Sequence, residues 1–331
     1  MSSPRVTAVH PSRAIDGGRI AIHGADFPVD QDQLPVVHVG DKRARVVFAS
    51  PSRLDVIVPA GLTAPGLVPV HVAGTSGDAA TVEIAATFAT GLHQVDSPIF
   101  DREGNLYVTY SGTRGQQVPV SIFRVRPNGT RETFSSGVVN PTSMAIDADG
   151  LIYMSSRFEG TVYRLMPDGS VEPFATDLGV ACGLAFSWDG TLFVGDRSGT
   201  IFSVDRNGRA TAFASLPPSV AAFHLAVGPE RALYVTSPTL SPYDVVYRID
   251  EQGIVSIRSQ MFGRPQGLAF DAAGTLFVVE ALAGASGLYR LGAGEPELVL
   301  AGPGLVGLAF DPHGGLAVCT SDSAYRVPPM H

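Results

Sequence analysis

The chain has 331 residues, of which 45% are hydrophobic, and its formal charge at pH 7 is −8 with histidine neutral. The 31 Asp and Glu against 23 Lys and Arg oppose binding to phosphate backbones and anionic membrane surfaces, so neither nucleic acid nor a membrane is an expected partner. The apolar fraction supports buried cores, and 37 Gly with 25 Pro suit many short strands joined by turns.

The start of the chain predicts its compartment. Residues 1–7 lack the apolar core of a signal peptide, and no apolar run approaches the length of a membrane span. We therefore expect a cytoplasmic protein, or a secreted or periplasmic one if a leader has been removed.

The first 86 residues contain short alternating runs at 19–23, 36–39, 54–58 and 68–72, separated by Gly, Pro, Asp and Ser. Such runs are typical of half-buried strands and predict a small antiparallel β-sandwich. The order of His10-Pro11-Ser12, Asp16-Gly17-Gly18, Phe27 and Val58-Pro59-Ala60 resembles the TIG/IPT immunoglobulin-like family over residues 4–85. The resemblance implies a spacer or adaptor, with a protein partner or self-association through this domain.

From residue 87 onward one unit occurs six times, for example as Gly-Leu-Ala-Phe-Asp-Ala-Ala-Gly-Thr-Leu-Phe-Val at 267–278. An apolar alternating run ends at a tight turn, and a second β-rich run follows, which predicts a hairpin. The turns begin at Asp101, Asp147, Ser187, Gly228, Asp271 and Asp311, at intervals of 40 to 46 residues. A period near 40 residues with about four strands per unit indicates a β-propeller. Trp188, in the third turn, is interpreted as a surface or inter-blade packing residue.

Residues 87–92 resemble the outermost strands of the second and third copies, at 173–178 and 212–216, whereas the sixth copy lacks a fourth strand. We predict that 87–92 supplies that strand and closes the ring. The predicted fold is all-β, with an immunoglobulin-like domain in residues 1–86 and a six-bladed propeller in residues 87–331.

The candidate ligand site lies at one end of this ring. In each copy the residue five before the turn begins the innermost strand, and the residue fourteen later ends the second strand, so antiparallel pairing predicts that the two lie side by side. The pairs are Asp96 with Tyr110, Thr142 with Ser156, Cys182 with Asp196, Phe223 with Ser237, Gln266 with Glu280, and Val306 with Thr320. Polar groups at the mouth of an apolar ring are the default place for a ligand.

Asp96, Asp196 and Glu280 come from alternate blades and are predicted to converge on this mouth. Asp96, Glu280 and His224 are the candidate catalytic residues. The candidate ligand-binding residues are Tyr110, Thr142, Ser156, Arg157, Cys182, Asp196, Arg197 and Gln266.

The repeated Gly-Leu-Ala-Phe-Asp/Ser-x-x-Gly-x-Leu-Phe/Tyr-Val pattern resembles the NHL-repeat and gluconolactonase/regucalcin-like six-bladed propellers. The resemblance implies a divalent cation, Ca²⁺ or Mg²⁺, held by oxygen ligands at the axial positions. Here Asp96 is the one matching oxygen ligand, because Thr142, Cys182 and Phe223 occupy the other positions. Asp96 is therefore the candidate metal ligand of a degraded site.

The repeats are also similar to streptogramin-lyase-like propellers, whose catalytic blade carries an axial His and a Glu at the end of the next strand. Gln266 and Glu280 occupy those positions here. Gln cannot accept a proton at neutral pH, so His224 in the adjacent blade would have to act as the base.

Three functions stay open at this point. The leading hypothesis is binding, with hydrolysis as a further step, of a small polar ligand of sugar or lactone type. The alternatives are a non-catalytic protein-interaction scaffold and a C–O lyase.

Overall fold

The computed structural model describes residues 4–29, 34–63, 65–76, 79–282 and 284–329. All regular elements in these ranges are β-strands, and no helix there is long and apolar enough to cross a membrane. The chain divides into two compact units. One comprises Met1–Ala86, Leu282–Tyr289 and Glu297–Gly304, and the other Thr87–Ala281, Arg290–Pro296 and Leu305–His331.

The first unit is a β-sandwich. Its strands are β1 (Arg5–His10), β2 (Arg13–Ala14), β3 (Arg19–Ala25), β4 (Val37–Val39), β5 (Lys42–Ser50), β6 (Arg53–Ile57), β7 (Gly66–Val72) and β8 (Ala80–Ile84). They are hydrogen bonded in the order β1-β3-β6-β5-β4-β7-β8-β2. Alternate residues point to one face, so Ile20, Ile22, Leu54 and Val56 are fully buried in a shared core.

The second unit contains the repeats. Its first strands are β9 (Ala86–Ala89), β10 (Ile99–Phe100), β11 (Leu106–Thr109), β12 (Ile122–Val125), β13 (Arg131–Ser135), β14 (Pro141–Ile146), β15 (Ile152–Ser156), β16 (Thr161–Leu165), β17 (Val171–Ala175), β18 (Ala181–Phe186), β19 (Leu192–Asp196), β20 (Thr200–Val204) and β21 (Ala210–Ser215). The later strands of this unit are β22 (His224–Val227), β23 (Leu233–Thr236), β24 (Asp244–Ile249), β25 (Val255–Phe262), β26 (Pro265–Phe270) and β27 (Leu276–Glu280), and then β30 (Leu305–Phe310), β31 (Leu316–Thr320) and β32 (Ala324–Val327). Between β27 and β30 the chain forms β28 (Gly287–Leu291) and β29 (Glu297–Ala301), most of which belongs to the first unit.

The innermost strands close a six-membered ring. Blades one to four are the sheets β10–β13, β14–β17, β18–β21 and β22–β25, β26 pairs with β27 in the fifth, and the sixth has the order β30-β31-β32-β9. The strands β10, β14, β18, β22, β26 and β30 each contact the next, and β30 contacts β10. The prediction of a β-propeller is confirmed, and β9 lies where the closing strand at 87–92 was predicted.

The repeated aspartates cap the first turn of their blade. Asp271 Oδ1 accepts the backbone N–H of Ala273 at 3.0 Å and of Thr275 at 2.8 Å. Gly274 follows with φ +80°, a left-handed conformation that glycine adopts without a Cβ penalty. Asp101, Asp147 and Asp311 accept the equivalent pair of bonds.

Four innermost strands contain a β-bulge, which changes the pairing predicted for the ring end. In β14, Pro141 rather than Thr142 is opposite Ser156. Likewise Ala181 is opposite Asp196, Pro265 is opposite Glu280, and Leu305 is opposite Thr320. A bulge sets two residues of one strand against one of its partner, so a regular register extended from the hairpin is wrong by one residue. The predicted pairings of Thr142, Cys182, Gln266 and Val306 are therefore corrected.

Candidate functional site

An imidazole–carboxylate pair joins opposite sides of the ring. Asp96 lies in the segment leading into β10 of the first blade, and His224 begins β22 of the fourth. His224 Nδ1 is 2.5 Å from Asp96 Oδ1, and the two residues are only 1% and 3% exposed. We call this end of the ring, defined by Asp96, Cys182, His224 and Gln266, the mouth. The pair brings together two of the three predicted catalytic residues.

Gln266 engages the other ring nitrogen of His224. Its Oε1 lies 3.3 Å from His224 Nε2, and its backbone carbonyl accepts a hydrogen bond from the Thr236 hydroxyl at 2.5 Å. The Gln266 amide can present its oxygen to Nε2 or, after turning, its NH₂. Both ring nitrogens of His224 are therefore engaged by neighbouring side chains.

A buried glutamine fixes the segment that carries Asp96. Gln94 donates through Nε2 to the carbonyl of Asp96, and its Oε1 accepts the Thr109 N–H at 2.8 Å. Asp96 Oδ1 also accepts the N–H of Ser97 at 2.6 Å. Gln94 and Thr236 were not predicted, because neither occupies a position that the repeat marks as part of the site.

Asp196 and Glu280 hold their own blades together. Glu280 accepts the backbone N–H of Gly263 at 2.8 Å and of Arg264 at 2.9 Å. Asp196 accepts the Val180 N–H at 2.8 Å and the hydroxyl of Ser198. Each carboxylate thus braces the connection that leads into the innermost strand of its blade.

Ser156, at the equivalent position of the second blade, has the same role. Its hydroxyl donates to the Val139 carbonyl at 2.6 Å. Thr142 also stabilises the connection into β14, because its hydroxyl donates to the Asn140 carbonyl at 3.0 Å.

Tyr110 lies beside His93 rather than beside Asp96 as predicted. His93 and Tyr110 form an isolated parallel bridge, and their ring centroids are 5.9 Å apart. His93 Nδ1 is buried and has no hydrogen-bond partner within the described residues. An imidazole nitrogen and a partly buried phenol therefore stand next to each other near the mouth.

Three arginines from successive blades gather at the same end. Arg157 follows β15 and Arg197 follows β19, and Arg114 lies in the loop after β11. Arg197 donates to the carbonyls of Ser219 at 3.1 Å and Val220 at 2.9 Å. Burial lowers the pKa of the Arg157 guanidinium below its ordinary value, and the charges of Arg197 and Arg114 act in the same direction.

Asn140 holds the loop that carries Arg114. Its Nδ2 donates to the carbonyls of Ser111 at 2.6 Å and Thr113 at 2.7 Å, and its Oδ1 accepts the Gly115 N–H at 2.6 Å. A residue of the second blade thus orders the loop of the first. Arg114 and Asn140 were missed because loops outside the repeat offer no positional signal.

Cys182 connects the arginines to the His224–Asp96 pair. Burial raises the pKa of its thiol to about 12, while Arg157 and Arg197 lower it and Asp96 raises it. Arg157, Arg197 and Asp96 all affect this thiol, so their side chains lie around the same region as Cys182. A thiol with this pKa is protonated at neutral pH and is not a nucleophile.

The residues at the mouth do not fit the divalent cation that the propeller resemblance implies. Among the residues that the structure describes, no three His, Cys, Asp or Glu side chains are grouped closely enough to hold a metal ion. The Asp96 oxygen is bonded to His224 and Ser97 instead.

Residues 4–88 match the model of the IPT/TIG domain family. This part of the chain is an IPT/TIG domain. No curated protein matches the chain in sequence.

Many solved structures share the fold, and three of them illustrate it. An auxiliary nutrient binding protein from Bacteroides ovatus ATCC 8483 is 14% identical, with 99% of each chain covered and a TM-score of 0.56. A putative gluconolactonase is 17% identical over 75% of this chain and 94% of that chain, with a TM-score of 0.59. A catalytically inactive virginiamycin B lyase from Staphylococcus aureus with quinupristin is 16% identical over 92% of this chain and 98% of that chain, with a TM-score of 0.54. At these identities the likeness concerns the fold alone.

Proposed function

We propose that the mouth of the propeller binds a small polar ligand carrying a negatively charged oxygen group. The observation behind this proposal is Arg157, a half-buried side chain with no hydrogen bond or ion pair to any described residue. A guanidinium withdrawn from water needs a compensating partner, and its planar donors match a carboxylate with two parallel bonds. Arg114 and Arg197 add positive charge on either side.

The neighbouring groups favour a ligand that also carries hydroxyls. The hydroxyls of Ser111 and Ser237 are buried at this end of their blades without a hydrogen-bond partner in the described chain. Buried polar groups are normally paired, so unpaired ones are suited to ligand contacts. Together with the arginines they support a sugar acid as the ligand class, in line with the sugar- or lactone-type ligand predicted from the sequence.

Calorimetric titration with gluconate, glucuronate and galacturonate, compared with glucose and galactose, tests this proposal. We expect the acids to bind and Arg157→Gln to weaken them at least tenfold. Arg209→Gln removes the same charge from an exposed turn and should have no effect. Equal binding of neutral sugars would refute the charge preference, and no binding by any compound would refute a sugar or sugar-acid site at the mouth.

Acid–base catalysis at the mouth is the second candidate, and the contact of His224 with Asp96 favours it. A carboxylate that holds one imidazole nitrogen orients the other, and Nε2 of His224, now 3.3 Å from Gln266 Oε1, would take a proton from a ligand that displaces this amide. Such a base suits either lactone hydrolysis or C–O elimination. Turnover in a panel of lactones and esters, with and without divalent cations, should disappear in His224→Gln. Turnover that survives this substitution would exclude His224 as the base.

A protein-interaction role through the IPT/TIG domain is the third proposal. Self-association is tested by sedimentation velocity on the full chain over a range of concentrations. A monomer at all concentrations would remove the self-association part of this proposal.

A further inference from the structure

A groove lies between the third and fourth blades, at the end of the strands opposite the mouth. Trp188 lies in the turn before β19, whereas Asp196 is the last residue of that strand. The groove is therefore separate from the site described above. Its volume is about 440 Å³, within the range of small-molecule sites. A second cavity at this end, lined by Asp101, Asp147 and Asp311 among others, has about 190 Å³. We call the larger cavity the inter-blade groove.

The two turns beside the inter-blade groove are the two that depart from the repeat. Four copies begin the turn with a capping aspartate, whereas Ser187 and Gly228 stand in the third and fourth blades. Arg231 occupies the fourth turn position with φ +65°, where the other five copies have glycine. A left-handed arginine costs free energy that glycine would avoid, so the turn itself does not explain its presence. Such departures are expected where a site is built rather than where a scaffold is repeated.

Trp188 provides an aromatic surface at the edge of the groove. It is the chain's single tryptophan and is 72% exposed, although its indole N–H donates to the Gly228 carbonyl at 3.3 Å. Gly228 has no room for a side chain, because a Cβ there would lie 2.9 Å from the Tyr234 ring. The ring is therefore held by the altered turn of the next blade while much of its surface stays open. Phe193 and Phe213 add apolar lining.

Charged side chains surround this apolar surface, with three carboxylates and one guanidinium. Asp189, Asp250, Glu251 and Arg231 all line the groove. Hydrogen bonds from the backbone and hydroxyl of Thr191 lower the pKa of Asp189, so this carboxylate is an ionised acceptor at neutral pH. Arg231 has no hydrogen bond or ion pair from its side chain to any described residue, so its donors are available.

We infer that the inter-blade groove is a carbohydrate-binding site in which a pyranose ring packs on Trp188 and its hydroxyls bond the surrounding charged side chains. One face of a pyranose presents mainly C–H groups, which suit an indole surface. Each hydroxyl donates to one group and accepts from another, which matches carboxylates interspersed with a guanidinium. A cationic ligand would also suit an aromatic ring with carboxylates, but it would leave the donors of Arg231 unused, whereas saccharide hydroxyls can bond both the carboxylates and the guanidinium.

The single tryptophan makes the test direct, because its emission reports on the groove alone. The intact protein is titrated with glucose, galactose, mannose, xylose, maltose and cellobiose, and with tetramethylammonium as the cationic probe. We expect at least one saccharide to change the emission saturably. Trp188→Ala should abolish binding of that saccharide in calorimetry, while Arg157→Gln at the mouth should leave it unchanged.

Arg231→Gly separates binding from folding. It restores the repeat's glycine, so we expect the melting temperature to be kept or raised while the saccharide binds at least fivefold more weakly. The inference is overturned if no saccharide changes the emission, if binding survives Trp188→Ala, or if tetramethylammonium binds and the saccharides do not. If no sugar acid bound at the mouth but a saccharide still changed the Trp188 emission, only the proposed function would be contradicted.

Discussion

At the mouth, side chains from blades that are distant in sequence meet across the ring, as in the contact of Asp96 with His224. At the opposite end, the inter-blade groove is formed by neighbouring blades whose turns have lost the residues of the repeat. The mouth therefore depends on ring closure, because its partners are brought together only when all the blades are in order. The groove depends on two adjacent turns. This difference predicts that mouth substitutions cost stability whereas groove substitutions mainly cost binding.

The largest expected effect is that of Asp96→Ala. It leaves the buried His224 ring without its 2.5 Å partner and removes the acceptor of the Ser97 N–H. Breaking a buried ionic or hydrogen-bonded pair from one side typically costs about 3 kcal/mol. Urea unfolding of the variant and the parent measures the difference.

Asp101→Ala in the same blade is the matched control for the other end. It removes the acceptor for two backbone N–H groups in a surface turn, and we expect a loss of about 1 kcal/mol. Equal losses at both ends would contradict the difference between them.

The next largest effect is expected at Glu280 and Asp196, the carboxylates that brace the connections into their blades. Glu280→Ala leaves the N–H groups of Gly263 and Arg264 without their acceptor, which should lower the free energy of unfolding by about 2 kcal/mol. Affinity for a mouth ligand should fall less than threefold, since the carboxylate is directed at its own blade. Asp196→Ala should behave in the same way. A tenfold loss of affinity with unchanged stability would instead support the predicted roles of both residues at the ligand.

A third effect appears at high pH. Burial raises the pKa of Cys182 to about 12 in the folded chain, from an ordinary value near 9. A group that holds its proton more tightly when folded stabilises the fold below pH 9, and this contribution is lost as the pH rises toward 12. Between pH 8 and pH 10, the parent should lose about 1 kcal/mol more than Cys182→Ala. Identical pH profiles for the two proteins would show that the thiol is not enclosed at the mouth.

Much of the fold could be predicted because each repeat is specified by residue types that act locally in the chain. The aspartates and glycines of the turns specify each hairpin, and the similarity of 87–92 to outer strands predicts the closure. The bulges could not be predicted, because no residue type around Thr142 or Gln266 marks an extra residue in the strand. Because of the bulges, Cys182 and Gln266 are not opposite Asp196 and Glu280. These two carboxylates instead accept backbone N–H groups from the connections into their own blades.

The site was predicted as a set of residues, but its contacts were not. His224 and Asp96 are 128 residues apart, and only the ring geometry shows that they meet. Trp188 was interpreted by itself, so its connection to the altered turn at Gly228 was missed. Comparing the six turns with one another offers the signal that single-residue interpretation lacks.

The smallest effect separates strain from function at the groove. Arg231→Gly relieves a left-handed backbone conformation that costs an ordinary residue about 1 to 2 kcal/mol, but it also loosens the unfolded chain by about 0.5 to 1 kcal/mol. The net expectation is a stabilisation of about 0.5 kcal/mol, measured by urea unfolding. Gly274→Ala, at φ +80° in the next blade, should destabilise because it introduces that strain. If Arg231→Gly destabilised the protein instead, the arginine would be part of the packing, and its departure from the repeat would no longer point to a ligand.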